Sequence, residues 1–283
     1  TACVMVSIMQ VTRHQRTLWQ KESQGGQEES HCGWQEDQRK SIRRPTTRLF
    51  IMTINKIVVM GASFTRPGQS GITKCWSQWL EEQTNIPVIN LTWDSGGSNS
   101  EIARMVCEYV WSNDVSNTAF IIQWTVLERS EFCYDDAQWI QVNQATNTKN
   151  GKTLTEQQLA ISKRLLEANT LSYSTSTYFW DWLQKIITVS HVLKKHDCPY
   201  FQWHMTGTEI KEILTGVKPI AKDFNLESIV KTVSKTPWLF GNVLKAQPQN
   251  FHTVSDNDPH PNDKGSLELA TMFYAEVKRR GWI

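Results

Sequence analysis

Beyond residue 52, short apolar runs alternate with stretches whose apolar residues recur every three or four positions, the pattern of strands interleaved with helices. Lys56-Ile57-Val58-Val59-Met60 reads as the first strand. Ile72, Trp76, Trp79, Leu80 and Gln83 then trace one face of a helix, which Asn85 and Pro87 close. A second strand is predicted over 88–91, and a second helix shows Ile102, Met105, Val106, Tyr109 and Val110 on one side. The run 119–124 is continuously apolar apart from Gln123, as a central parallel strand buried on both faces requires. A fourth strand, 200–204, follows Pro199, and Ala270, Phe273, Tyr274 and Val277 carry the last helix. Repeated β-α units predict an α/β fold: a parallel sheet with helices on both faces, a three-layer α/β/α sandwich.

Residues 125–199 are too many for a plain crossover. The polar stretch 143–153 and the helical spacing of Leu183, Ile186, Ile187 and Leu193 predict a helical insertion after strand three, at about 128–197. Such a segment either walls a substrate or elaborates the surface. Residues 1–51 are rich in Gln, Arg, Ser and Glu and keep no period, so they are expected to be a disordered or non-native extension ahead of one domain, 52–283. Met52, just before the first strand of a chain that opens on Thr1, is part of that reading.

Charge sharpens the boundary. The net charge is +2, but residues 1–51 hold 8 Lys/Arg against 5 Asp/Glu, leaving 22 against 23 in the remainder. A body so nearly neutral lacks the basic face that phosphate-backbone binding needs, so no nucleic-acid partner is expected. With no apolar run of about 18 residues and no basic-then-apolar leader, neither a membrane nor a secretory signal is read, and the expected place is the cytoplasm. Six scattered cysteines without a Cys-x-x-Cys pair predict reduced thiols rather than zinc or disulfides. The 13 tryptophans fall mostly at core-facing positions, although a sugar-stacking platform would also use them.

The candidate chemistry begins at Ser63, in Gly61-Ala62-Ser63-Phe64, where strand one runs into a small-residue turn. That is the C-terminal edge of a parallel sheet, where ligand crevices form. Far along the chain, Asp256-Asn257-Asp258-Pro259-His260-Pro261 offers acids and an imidazole just before the last helix. A serine hydroxyl needs such a base to become a nucleophile, and the base needs an acid to orient it. Against this, Ser63 alone would bond within its own turn, and His260 would be a surface histidine held between prolines.

These two blocks resemble the SGNH (GDSL-like) hydrolase family, in particular its divergent phage and metagenomic members, over roughly residues 52–280. The resemblance implies an esterase acting on a small acyl ester or a carbohydrate O-acetyl group, without cofactor or metal. Ser63 would be the nucleophile, His260 the base and Asp258 the acid, with Asp256 the flanking alternative, since Asn257 stands at the family's commonest spacing. Residues 90–99, Asn-Leu-Thr-Trp-Asp-Ser-Gly-Gly-Ser-Asn, resemble the family's second block, which implies an oxyanion N–H at Gly97, with Gly96 beside it. Ser98 or Asn99 should cap the helix that follows. The third block, Gly-x-Asn-Asp, is absent; Gln123-Trp124-Thr125 stands there, with Arg129 and Glu131 suited to an ion pair, and Asn99, Gln123 and Thr125 are the candidates to supply the missing donor. Asn99 is the one taken with Gly97 as the oxyanion set. That missing Asn keeps a second function open, a binding or structural protein that retains the fold without its chemistry. No phosphate loop is read, because Arg66 and Pro67 stand where a Gly-Lys would be needed, and His191, His196 and His204 lack metal-ligand spacing. His204, ending strand four, is read as a satisfied buried histidine.

Overall fold

The computed structural model describes residues 53–66, 72–92, 97–127, 129–134, 138–142, 155–172, 175–204, 227–239, 252–255 and 258–283. The chain divides into two compact units, Thr1–Leu49 and Phe50–Ile283, and all the described residues belong to the second. The expectations for 1–51, 143–153, Gly96, Asp256 and Asn257 lie outside the described residues.

Four parallel strands form the sheet: β1 (Lys56–Met60), β2 (Val88–Asn90), β3 (Thr118–Trp124) and β6 (Tyr200–His204), in the order β2-β1-β3-β6. Beyond β6 one further parallel rung forms, in which Gln202 N–H donates to Pro237 O at 2.9 Å and Leu239 N–H to Gln202 O at 2.8 Å. That rung had no signal in the sequence, because Pro237 and the single Trp238-Leu239 pair do not make an apolar run.

The central strands are buried on both faces, and their alternation divides the core in two. Val58, Met60, Phe120, Ile122, Trp124 and Tyr200 join one apolar cluster. Ile57, Val59, Ala119, Ile121, Phe201 and Trp203 join the other. The first cluster takes Ile102, Val106 and Val110 from α2 (Asn99–Ser112) and Trp182, Leu183, Ile186, Val189 and Leu193 from α4 (Thr175–Lys195). The second takes Trp76 and Leu80 from α1 (Trp76–Thr84) and Leu269, Ala270, Phe273 and Val277 from α6 (Asp263–Arg279). Continuous apolar strands are what two-sided burial demands, whereas a strand with one wet face would alternate.

The expected helical insertion starts differently. It opens with an antiparallel hairpin, β4 (Ser130–Tyr134) with β5 (Gln138–Val142), and helices follow: α3 (Glu156–Ser172), then α4, which leads into β6. Five-residue strands with a charged Asp135-Asp136 between them carry too short a period to read. The short helix α5 (Glu227–Val233) precedes the extra rung. No described helix is long and apolar enough to cross a membrane.

Helix ends follow local chemistry. Asn85 closes α1 in the left-handed region, φ 54°, with its N–H on Glu81 O at 2.8 Å. Asn262 caps α6, its side chain accepting from the Lys264 and Gly265 amides at 3.0 and 3.1 Å. Next to it, Asp263 reaches across to α1: its carboxylate accepts from Thr73 N–H at 2.7 Å, Thr73 Oγ1 at 2.6 Å and Lys74 N–H at 3.1 Å. The Thr73 hydroxyl and then the Lys74 and Thr73 amides hold that carboxyl below the usual aspartate range. The two helices meet further along through Trp76 and Phe273, whose ring centroids are 4.5 Å apart.

Replacing Asp263 by Asn should lower the melting temperature by a few degrees at pH 7, measured by thermal denaturation. Because the folded carboxyl titrates below its unfolded value, its contribution is present above about pH 4 and fades as the pH drops further. The gap between wild type and D263N should therefore close in acid, and a gap that persists there would count against the clamp.

Candidate active site

Strand β1 ends at Met60, between β2 and β3, so the turn that follows lies at the C-terminal edge of the sheet with a neighbour on each side. Both neighbours reach over to hold it. From beyond β2, Thr92 Oγ1 accepts Gly61 N–H at 3.0 Å, and Asn90 Nδ2 donates to Thr65 O at 2.7 Å while its Oδ1 takes Thr92 N–H at 2.9 Å. From β3, Gln123 Oε1 accepts Ala62 N–H at 3.1 Å and the Thr65 hydroxyl at 2.5 Å. Within the turn, Thr65 N–H donates to Ala62 O at 2.8 Å. Ser63 is thus bracketed by fixed backbone on both sides.

Gly61 is required by this crowding: a Cβ there would come 2.6 Å from Gln123 Oε1 and 2.7 Å from Gln123 Cβ. Gly97 is required more strictly. Its φ is +32°, and a Cβ would meet the carbonyl oxygen of Gly61 at 2.5 Å, backbone against backbone. The glycine singled out as the oxyanion donor therefore lies on the first residue of the Ser63 turn. Ser98 follows as the cap of α2, its hydroxyl accepting from Glu101 N–H at 3.0 Å.

Ser63 Oγ is sealed from solvent and, among the described residues, makes no hydrogen bond, to His260 or to any other group. His260 lies on β8 (Asp258–Pro261), which pairs antiparallel with β7 (Thr253–Ser255) in a short hairpin. Its imidazole packs edge-on against Phe64, the residue after Ser63, with ring centroids 5.3 Å apart. The hairpin is fastened to α6. Asn262 N–H donates to His252 O at 2.9 Å, Asn262 Nδ2 to Thr253 O at 2.8 Å, and Gly265 leaves room for the His252 carbonyl and Pro261. Asp258 shares the strand with His260, two residues earlier. The hairpin and the helix it is fastened to hold the His260 ring beside the Ser63 turn.

Asn99, expected at the oxyanion, has both ends of its amide engaged elsewhere. Nδ2 donates to the carbonyls of Thr125 and Val126, each at 3.2 Å, and Oδ1 accepts Thr125 N–H at 3.0 Å. It fastens the exit of β3 to the start of α2. Thr125 O also receives His204 Nε2 at 3.0 Å, and the His204 ring stands edge-on to Trp182. Burial lowers the His204 pKa to about 4, so the ring is neutral and carries its proton on Nε2. Strand alternation puts His204 on the α4 face, opposite the one that receives Phe64.

Gln123 is the residue whose role the sequence understated. It is fully buried, and its parity matches Ala119 and Ile121 rather than Phe120 and Ile122. Ala62 N–H can only bond an acceptor, which fixes Oε1 toward the turn and leaves Nε2, a buried donor, without a partner. An orphaned buried donor costs about 1–3 kcal/mol. Arg66 Nε, at the other end of the turn, is likewise buried and unpartnered. Glu131 accepts a two-point contact from Arg104 of α2, both bonds 3.3 Å, and burial pushes its carboxyl up despite that guanidinium. Burial likewise lowers the Arg129 pKa. Among the described residues no three His, Cys, Asp or Glu side chains gather as a metal site requires. Compared with protein-family models and with curated proteins, the sequence matches none.

Gly97→Ala should destabilise the protein by well over ~1 kcal/mol, whereas Gly281→Ala, also at positive φ but with open space around it, should cost about 1 kcal/mol or less. Equal losses in chemical denaturation would contradict the close approach at Gly61. His204 makes a pH prediction. With a folded pKa of about 4 against 6.5 unfolded, its contribution is complete above about pH 6.5 and is lost as the pH falls toward 4, on the order of 3 kcal/mol in all. Denaturation midpoints of His204→Gln should lack that part of the acid slope; an unchanged slope would show that the ring does not resist protonation.

Proposed function

We propose that the protein is a serine hydrolase of the SGNH type, acting on a small acyl ester or a carbohydrate O-acetyl group. The observation that carries this reading is the seating of the His260 ring on Phe64, next to a serine on a rigid turn at the sheet's C-terminal edge. In this mechanism Ser63 Oγ attacks the carbonyl carbon as His260 takes its proton, and Asp258 orients the imidazolium. The negative oxygen of the tetrahedral intermediate is received by backbone N–H groups of Ser63 and Gly97. Collapse expels the alcohol, which leaves with the proton from His260, and a water deprotonated by His260 then cleaves the acyl-serine. Asn99 acts as a positioning residue, holding the exit of β3 in place, since its amide is committed to 125–126.

In the same reading the domain is a three-layer α/β/α sandwich of flavodoxin-like order, which the sheet order and the two apolar clusters support. Residues 128–197 are an insertion of hairpin and helices over it. Three free, buried cysteines, Cys75, Cys107 and Cys198, fit a reducing cytoplasm.

One observation favours a second reading, a binding protein that keeps the fold without chemistry: Ser63 Oγ has neither solvent contact nor a bond to His260. A catalytic serine in a free enzyme tolerates a long contact that tightens on substrate, so activity decides. The protein is expected to hydrolyse a short-chain aryl ester and to label with a fluorophosphonate probe. Ser63→Ala should abolish both, a loss of up to about a millionfold in rate, with hardly any change in melting temperature. Absence of labelling in folded protein would favour the binding reading instead.

A further inference from the structure

The Ser63 turn gathers three polar groups that lack partners: the Ser63 hydroxyl, Gln123 Nε2 and Arg66 Nε. Each can donate a hydrogen bond and none has an acceptor. Unpartnered buried donors occur elsewhere too, among them the indole N–H groups of Trp76, Trp182 and Trp203; what distinguishes this place is that Ser63 and Arg66 share one turn and that the Gln123 amide is bonded to that turn at Ala62 and Thr65. The ligand that fits is rich in acceptor oxygens and free of donors at this point, which is the description of an ester carbonyl and, more strongly, of the oxyanion it becomes.

Among the three, Gln123 is the most constrained. Its residue is fully buried, and its Oε1 is occupied on both sides of Ser63, by Ala62 N–H at 3.1 Å and Thr65 Oγ1 at 2.5 Å. Those two bonds forbid an amide flip, since a flipped NH2 would face the Ala62 donor. They also hold the amide rigid, as a donor to a developing charge must be held if no reorganisation is to accompany reaction. Asn99, the other candidate amide, has no donor to spare.

We propose that Gln123 is a catalytic residue, its Nε2 donating to the carbonyl oxygen of the bound ester and to the oxyanion formed when Ser63 attacks. The assignment rests on the serine-hydrolase reading and adds to it the side-chain donor that the backbone groups of Ser63 and Gly97 leave unsupplied. No covalent change occurs at Gln123; it donates one hydrogen bond that strengthens as charge moves onto the oxygen.

Two variants separate donation from mere support of the turn. Gln123→Glu keeps an acceptor oxygen for Ala62 and Thr65 while replacing the NH2. Ionised, it should lower kcat on an aryl ester about a hundredfold to a thousandfold with little change in KM. A buried glutamate titrates above its ordinary range, and once protonated it regains a donor, so the deficit should shrink as the pH is lowered. Gln123→Leu should show the same deficit at every pH. Wild-type kcat in Q123L, or losses in Q123E equal to those of Q123L across the whole range, would overturn the proposal. If Q123E does not fold, the wild-type protein gives the answer: with a phosphonate adduct at Ser63, whose P–O oxygen stands for the oxyanion, the side-chain amide protons of Gln123 should move downfield in the NMR spectrum. Unmoved resonances in a formed adduct would overturn the assignment. Ser63→Ala run alongside keeps the two levels apart, because ester hydrolysis that survives it defeats the serine-hydrolase reading, whereas Ser63-dependent hydrolysis indifferent to Gln123→Leu defeats only this one.

Discussion

The parallel register of β1 against β3, from Lys56 opposite Thr118 to Met60 opposite Ile122, is the constraint on which the site depends. Continued by one rung, it sets Gly61 beside Gln123, and the Gln123 amide can then take Ala62 N–H and the Thr65 hydroxyl. A slip of one residue would turn Gln123 to the α4 face and Phe120, Ile122 and Trp124 to the α6 face. Two-sided burial forbids that slip, because each face is filled by its own apolar cluster. The packing of the core and the shape of the Ser63 turn are therefore consequences of one pairing.

A second consequence is that the site assembles from far-apart segments with little freedom in any. The turn is held from β2 and its exit by Asn90 and Thr92 and from β3 by Gln123, with the backbone of Gly97 lying close against Gly61. The hairpin bearing His260 is fastened to α6, and α6 in turn to the entry of α1 by Asp263. Each fastening uses a side-chain oxygen or amide on backbone, a type of bond that fixes position without needing a charged partner in the interior. Of the side-chain amides and rings at the sheet edge, Asn99 and His204 are bonded, whereas Gln123 keeps its Nε2 without a partner.

The sequence by itself determined the sheet. Apolar runs located β1 and β3, and the aromatic-rich segment after Pro199 located β6, each to within a residue; the polar positions that these buried strands do carry, Gln123, Gln202 and His204, are hydrogen-bonded. Helical spacing located α1, α2, α4 and α6, and Asn85 marked the end of α1 by its ease in the left-handed region. Ser63, Gly97 and His260 were legible as candidates because glycine, serine and histidine beside strand ends and prolines are scarce, position-specific signals. Only the tertiary structure decided what their neighbours do. The hairpins β4–β5 and β7–β8 and the rung at Trp238 are pairings of short segments, stabilised by contacts distant in sequence rather than by any period of their own. The same holds for the three amides. Asn99 reads as a donor and is a clamp; Asn90, in the second strand, anchors the Ser63 turn at Thr65; Gln123, another candidate donor, holds that turn through its oxygen. An amide both donates and accepts, so its residue type leaves its role open, and which end is used is fixed only when the fold brings the partner backbone alongside.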